Sequence, residues 1–363
     1  MLIIVRLIGV EPRTVLPFIT TNVGPSGTRL FRRLIALFIL MFFIAGNAAS
    51  EEQGSAKSTQ SYHYQLWDVF TDQALAGNQL AVFTSAQGLS ADLMQKIARE
   101  MAFSETTFVF GANESGTDAH VRIFSPTREL AFAGHPTIGT AFALVASGAV
   151  KHGTERIVFT EGIGPVLVQL EWQKDNLRFA WMHQRVPVFG KTLEDLSGMA
   201  QGLGVTQLQL TPLALPIQEV SCGSPYIMVP MASRAAVDQA RVDSTVLGTV
   251  FDTAGVTRRS MLVFSMEPAG SDFTVYSRML RFDGTEDPAT GGASGPLGSY
   301  LVNYGLVSME NASTIISSQG VQMGRPSQVH IRIRSEAEQI SGVQVGGRAI
   351  HVGDGRLFLP DDL

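Results

Sequence analysis

Two stretches of this chain are apolar on every side and interrupted only by small residues. TIGTAFALVASG runs from Thr137 to Gly148, and TGGASGPLGSYLVNYG from Thr290 to Gly305. A helix that is hydrophobic all round is buried all round. In a soluble protein that requires a sheet curled about the helix, and two such helices require two such sheets. Each helix follows a similar tip, FAGHPTIGTA at 132–141 and EDPATGGASG at 286–295. An offset of 152 (287 − 135) sets His135 on Asp287, Pro136 on Pro288, Gly139 on Gly291 and Ala141 on Ala293.

The surrounding pattern repeats as well. In the first half, YQLWDVF reads as a strand, TDQALAGNQ as a turn and LAVFT as its hairpin partner. SADLMQKIAREMAF is an amphipathic helix with Ser90 as N-cap and Leu93, Ile97 and Met101 on one face. TTFVFG and HVRIFSP are strands again. In the second half, EVSCGSPYIMVPM is strand, turn and strand, SRAAVDQARV is helical, and SMLVFSM and FTVYSRM are strands. The same order around the same kind of helix predicts a duplicated α+β protein of two pseudo-symmetric lobes. Each lobe is a mixed β-sheet wrapped around its central helix.

The ends and the composition narrow the possibilities. Arg29, Arg32 and Arg33 precede an uncharged apolar run, Leu34 to Ala45, with small residues at Gly46, Ala48 and Ala49. That is the pattern of a secretory signal, and the run is short for a spanning helix. The expected organisation is therefore an N-terminal extension with a signal-like segment over 1–50 and a polar linker over 51–61. Lobe 1 follows over 62–178 and lobe 2 over 179–363. An exported protein, periplasmic or secreted, is expected, with a cytoplasmic one the alternative; membrane contact is expected only if the segment is uncleaved. Basic residues number 27 and acidic ones 32, without blocks of like charge, so no nucleic-acid groove is indicated. The single cysteine, Cys222, excludes a disulfide framework, a multi-cysteine metal site and a racemase built on two opposed thiols. The seven histidines show no metal-ligand spacing, and there is no phosphate loop or nucleophile elbow, so neither metal nor cofactor is expected.

The two tips carry the candidate site. A helix N-terminus offers unpaired N–H groups and partial positive charge, and small residues let a ligand approach them. Two tips facing one cleft would hold a small anionic substrate, with His135 and Asp287 on opposite walls. Singly, each has a plainer explanation: a turn histidine bonding a nearby carbonyl, and an ordinary N-cap. Glu105, at the entry of the apolar strand in AFSETTFVF, is the candidate general acid/base. Burial beside Phe103 and Phe108 would raise its pKa into the range where it both takes and gives a proton.

These residues resemble the phenazine-biosynthesis PhzF-like isomerases, relatives of diaminopimelate epimerase. The resemblance covers about Tyr62 to Leu359. It rests on DVFTDQALAGNQLAVF, SETTFVF, RIFSPTRELAFAGHPTIGTA, EDPATGGA, QGVQMGRPSQVHIRI and VQVGGRAIHV. It implies two pseudo-symmetric lobes, with the last strand able to return to lobe 1, and a cofactor-free isomerase that shifts a proton on a small carboxylic acid. It further implies Glu105 as acid/base and a homodimer. Substrate binding falls by resemblance and motif to His135 and Asp287, with Gly134, Pro136, Thr137, Thr290, Gly291, Gly292 and Ser294 around them. Two departures bear on the substrate. Gly292 stands where the family usually has serine, with Ser294 a possible replacement hydroxyl, and RMLRFDGT stands where a proline is usual. A non-catalytic small-molecule or partner-binding protein of the same fold is the alternative; retention of Glu105 favours the enzyme.

Overall fold

Each half of the chain threads a run of strands around one buried helix. The structure, a computed structural model, describes residues 59–360 apart from 211 and 338; the signal-like segment lies outside the described residues. The first half holds β1 (Thr59–Val69), β2 (Asn78–Phe83), helix α1 (Ala91–Met101), β3 (Glu105–Gly111), β4 (Ala119–Phe124) and β5 (Glu129–Leu130). Helix α2 (Gly134–Ala146), β6 (Arg156–Glu161), β7 (Gly164–Gln173), β8 (Asn176–Gln184) and β9 (Val188–Thr192) follow. The second half begins with α3 (Leu196–Leu203), β10 (Gln218–Ser221), β11 (Pro225–Pro230), α4 (Arg234–Gln239), α5 (Ser244–Ala254) and β12 (Met261–Met266). It ends with β13 (Val275–Leu280), β14 (Glu286–Asp287), α6 (Gly291–Asn303), β15 (Ile315–Gln319), β16 (Ser327–Glu336), β17 (Gln339–Gly347) and β18 (Ala349–Pro360).

The pairing map is the same twice. β1 runs antiparallel to β2, β2 parallel to β3, and β3 antiparallel to β4. β4 then pairs antiparallel with β5 and parallel with β6, and β6, β7 and β8 continue antiparallel. β10 to β17 repeat each of these relations in order. β8 and β17 pair with each other, Met182 opposite Val345, and join the halves into one sheet. Beyond that junction the halves exchange strands: β9 pairs with β10, and β18 runs back along the whole of β1. Residue 178 lies inside β8, so the chain leaves the first half only after Gln184. β1 also begins at Thr59, opposite Pro360, so residues 59–61, read as linker, are strand.

Every residue of α2 from Gly134 to Leu144, and of α6 from Gly291 to Leu301, is buried. The two helices match at an offset of 157 (291 − 134), not 152. Gly148 and Gly305, which end them in the left-handed region at φ 77° and 67°, keep the same spacing (305 − 148). His135 therefore corresponds to Gly292, and Asp287 to Leu130. The matching Pro-x-x-Gly-x-Ala motifs misalign the tips because Pro136 is the third residue of its helix, whereas Pro288 precedes its helix by three. Asp287 consequently sits on β14 rather than opening α6.

In the crossover from β2 to β3, α1 is capped by Ser90, whose hydroxyl accepts from Leu93 N at 3.2 Å. Its buried face centres on Met94, Ile97 and Ala98, with Leu93 and Met101 at the margin rather than at the centre. Helices α3 and α5, not anticipated from the sequence, belong only to the second half. They share an apolar core through Met199, Leu203, Leu247 and Phe251.

Candidate active site

The tips of α2 and α6 touch. A Cβ placed on Gly134 would lie 2.5 Å from the Cα and carbonyl carbon of Gly291, and one on Gly291 would lie 3.0 Å from Gly134 Cα. Only glycine at both positions allows this approach. Neither N-cap residue, Ala133 or Thr290, makes a side-chain cap bond to its helix. Among the described residues the N–H groups of Gly134, His135, Gly291 and Gly292 make no hydrogen bond outside their helices, and all four residues line a cleft of about 1230 Å³. Because the tips are in contact, they leave no space for a ligand between them.

Glu105, His135 and Asp287 meet at this point, and all three line the cleft. The chain brings them together because β3 is parallel to β2, so that Glu105 lies opposite Leu80, two residues past Asn78. The Asn78 side chain links the other two. Its amide nitrogen lies 3.1 Å from His135 Nδ1 and donates to Asp287 Oδ1 at 3.2 Å and Ala289 O at 2.9 Å. His135 Nε2 has no hydrogen-bond partner among the described residues and lies 3.5 Å from Glu105 Oε2, so the tautomer that carries its proton on Nε2 aims it at that carboxyl.

Asp287 is surrounded by donors. Oδ1 accepts from Asn78, from Ser104 Oγ at 2.9 Å and from Arg281 Nη2 at 3.1 Å, while Oδ2 accepts from Thr290 Oγ1. Gln319 Nε2 in turn donates to Asp287 O at 2.8 Å and to Thr290 Oγ1 at 3.1 Å. Asp287 thus organises the site's donors, and its oxygens are engaged before any substrate arrives.

Environment separates the two proton-carrying groups. Burial, then the nearby Asp287 charge, pushes Glu105 up from 4.5 to about 8, with Arg281 opposing. Burial pulls His135 down to about 4 against the pull of Asp287, so its imidazole is neutral near pH 7. Glu105 is 12% exposed at the cleft floor, while His135 is 3% exposed. A carboxyl that titrates near neutrality beside a neutral ring donor is the combination general acid–base chemistry requires.

The remaining residues singled out from the sequence divide. Gly134, Thr290, Gly291 and Gly292 line the cleft. Pro136 is buried in the first turn of α2 and does not line it. Thr137 turns its hydroxyl away, to Ala133 O and Glu161. Ser294 donates to Thr290 O at 3.0 Å within its own helix, as a helical serine one turn on can, so it does not replace the hydroxyl missing at 292. Asn78, Ser104, Tyr226, Arg281 and Gln319 were not anticipated. The motif AGNQL contained Asn78, but nothing in it marked a partner 209 residues away, and nothing in the altered RMLRFDGT marked Arg281 as the partner of Asp287 six residues on.

A duplicated α+β frame with exchanged end strands, a helix inside each sheet and a shared cleft defines the diaminopimelate epimerase-like class. The sequence pattern of the phenazine biosynthesis-like protein family matches residues 67–355, and the chain belongs to that family. It is 35% identical over 300 residues to the trans-2,3-dihydro-3-hydroxyanthranilate isomerase of Pseudomonas chlororaphis, covering 82% of this chain and 100% of the relative. Among solved structures it resembles a predicted epimerase from Pseudomonas aeruginosa, with 28% identity and a TM-score of 0.68 over 82% of this chain and 99% of the other. A Bacillus anthracis phenazine biosynthesis protein of the PhzF family shares the fold, with 23% identity and a TM-score of 0.71 over 82% and 99%. With the named isomerases among its relatives, the chain is an isomerase.

Proposed function

We propose that the protein is a cofactor-independent isomerase of a small carboxylic-acid metabolite, with Glu105 as the group that takes a proton from one carbon and returns it to another. The observation that carries this reading is the carboxyl of Glu105 at the cleft, raised to about 8 chiefly by burial and 3.5 Å from the unpartnered Nε2 of His135. In the carboxylate form Glu105 accepts the proton as the C–H electron pair moves into the conjugated system of the substrate. The resulting acid then delivers the proton at the far end of that system, and Glu105 returns to its starting form. Neutral His135 donates from Nε2 to an oxygen on which charge develops. It needs no net protonation to do so, which fits a ring held near pKa 4.

The first candidate substrate is the compound named for the relative, trans-2,3-dihydro-3-hydroxyanthranilate. Incubation with it, and with other small acids, in heavy water should give a product that has gained deuterium at carbon. Glu105→Gln should abolish the gain. Deuterium incorporation by that variant at the wild-type rate would overturn the assignment.

A further inference from the structure

The second-half wall of the cleft holds more unspent hydrogen-bond donors than proton transfer requires. Arg281 uses Nη2 on Asp287, and its side chain makes no other hydrogen bond among the described residues. Its side chain is 33% exposed and lines the cleft. Tyr226 lines the same wall, and its hydroxyl makes no hydrogen bond among the described residues. Burial, then the charges of Glu105 and Asp287, pushes its phenol up, so the hydroxyl keeps its proton and remains a donor. Gly291 and Gly292, the uncapped first residues of α6, line the same cleft, and Gly292 lies against the Tyr226 hydroxyl.

Charge points the same way. Asp287 alone would make this wall repel an anion, and Arg281 is the cation placed against it. A single N–H of the guanidinium reaches Asp287, which leaves its planar fork free for a second oxyanion.

We infer that Arg281, the Tyr226 hydroxyl and the Gly291–Gly292 amides form the docking subsite for the carboxylate of the substrate and set the enzyme's preference for an acid. The inference rests on the isomerase reading only in assigning the reacting carbon to the neighbouring Glu105. It also accounts for Gly292. A Cβ there would lie 2.9 Å from the Tyr226 hydroxyl, so Tyr226 occupies the space a serine side chain would take. The hydroxyl absent from position 292 is supplied from β11's margin, across the wall.

Calorimetry with 3-hydroxyanthranilate, and with 2-aminophenol, which lacks only the carboxylate, tests the subsite without turnover. Wild type and Glu105→Gln should both bind the acid more tightly than 2-aminophenol. Arg281→Gln should lose tenfold or more for the acid and stay unchanged for 2-aminophenol, which also reports that the variant is folded. Arg281→Lys, keeping the charge with fewer donors, should lose less. Tyr226→Phe should weaken the acid several-fold, and adding Gly292→Ser to it should restore part of the loss. With a turned-over substrate, Arg281→Gln should raise KM far more than it lowers kcat. An Arg281→Gln protein that holds the acid as tightly as wild type, or a wild type with no preference for the acid, would overturn the subsite. Arg281-dependent binding together with undiminished hydrogen exchange by Glu105→Gln would instead remove only the acid/base assignment.

Discussion

Glu161 offers a test of how the α2 tip is held. It lies in β6, 4% exposed, and the mechanism does not use it. Thr137 Oγ1 is 2.7 Å from Ala133 O and 2.6 Å from Glu161 Oε1. A hydroxyl has one proton to donate. Both contacts are hydrogen bonds only if Glu161 is a neutral acid donating to Thr137, which donates to Ala133. Burial raises Glu161 from 4.5 to about 8, opposed only by the bond Thr137 would donate to the carboxylate form. Between those values the folded chain binds a proton that the unfolded chain has lost, so stability falls as pH rises. The contribution is present in full below the unfolded value of 4.5 and is lost as pH rises through about 8. The gap of 3.5 (8 − 4.5) corresponds to a ceiling of ~5 kcal/mol. Glu161→Gln keeps the donor to Thr137 and does not titrate. Urea unfolding should find the variant within ~1 kcal/mol of wild type at pH 5 and ~2–4 kcal/mol more stable at pH 8.5. A variant less stable than wild type at pH 8.5, or an equal difference at both pH values, would refute the neutral-acid brace.

Glu105→Gln should lower turnover by ~100-fold or more, measured by product formation once a substrate is in hand. Because abstraction needs the ionised form, wild-type kcat/KM should climb with pH and level off above the raised pKa of about 8; a flat profile from pH 6 to 9 would contradict the assignment. Gly134→Ala drives a methyl to 2.5 Å from the Gly291 backbone, which cannot rotate aside. It should cost ~1–3 kcal/mol or more in urea unfolding and most of the activity. Activity and melting temperature should both survive dialysis against a chelator, as expected of a reaction carried by the chain's own carboxyl.

The features visible in the sequence were those carried by local pattern. Helices α2 and α6 showed as apolar segments without a polar face, and Ser90 as a cap. The strand orders showed the duplication. Glu105, His135 and Asp287 could be named from their motifs, but their arrangement could not. The offset of 152 aligned two prolines with different places in their helices, and only the strand and helix bounds correct it to 157. The Asn78 bond to Asp287 joins residues 209 apart, and no periodicity reports such a contact. The direction of a hydroxyl is equally hidden. Thr137 and Ser294 looked like ligands in sequence, yet both bond the backbone one turn earlier in their own helices. Arg281 and Tyr226 were invisible for the opposite reason, since their importance lies in donors left unused.

The same architecture determines where this enzyme can move. Separating the tips of α2 and α6 would strain the β8–β17 pairing, where Ala180 to Gln184 oppose Gly347 to Val343. It would pull on the exchanged strands β9 and β18, and it would break the Asn78 bonds to Asp287 and Ala289. Arg325, from the second half, also holds the first-half carbonyls of Ala76 and Gly77 at 2.7 Å and pairs with Asp68. Many short contacts across one seam must fail together for a hinge to open there. Access must therefore come from the mouth, where the exposed lining residues include Thr127 and Arg128 and, on α5, Thr245, Thr249 and Asp252. Substitutions at the mouth should then act on substrate entry and KM, whereas substitutions at the seam should act on kcat, because the reacting groups are held in place before the substrate arrives.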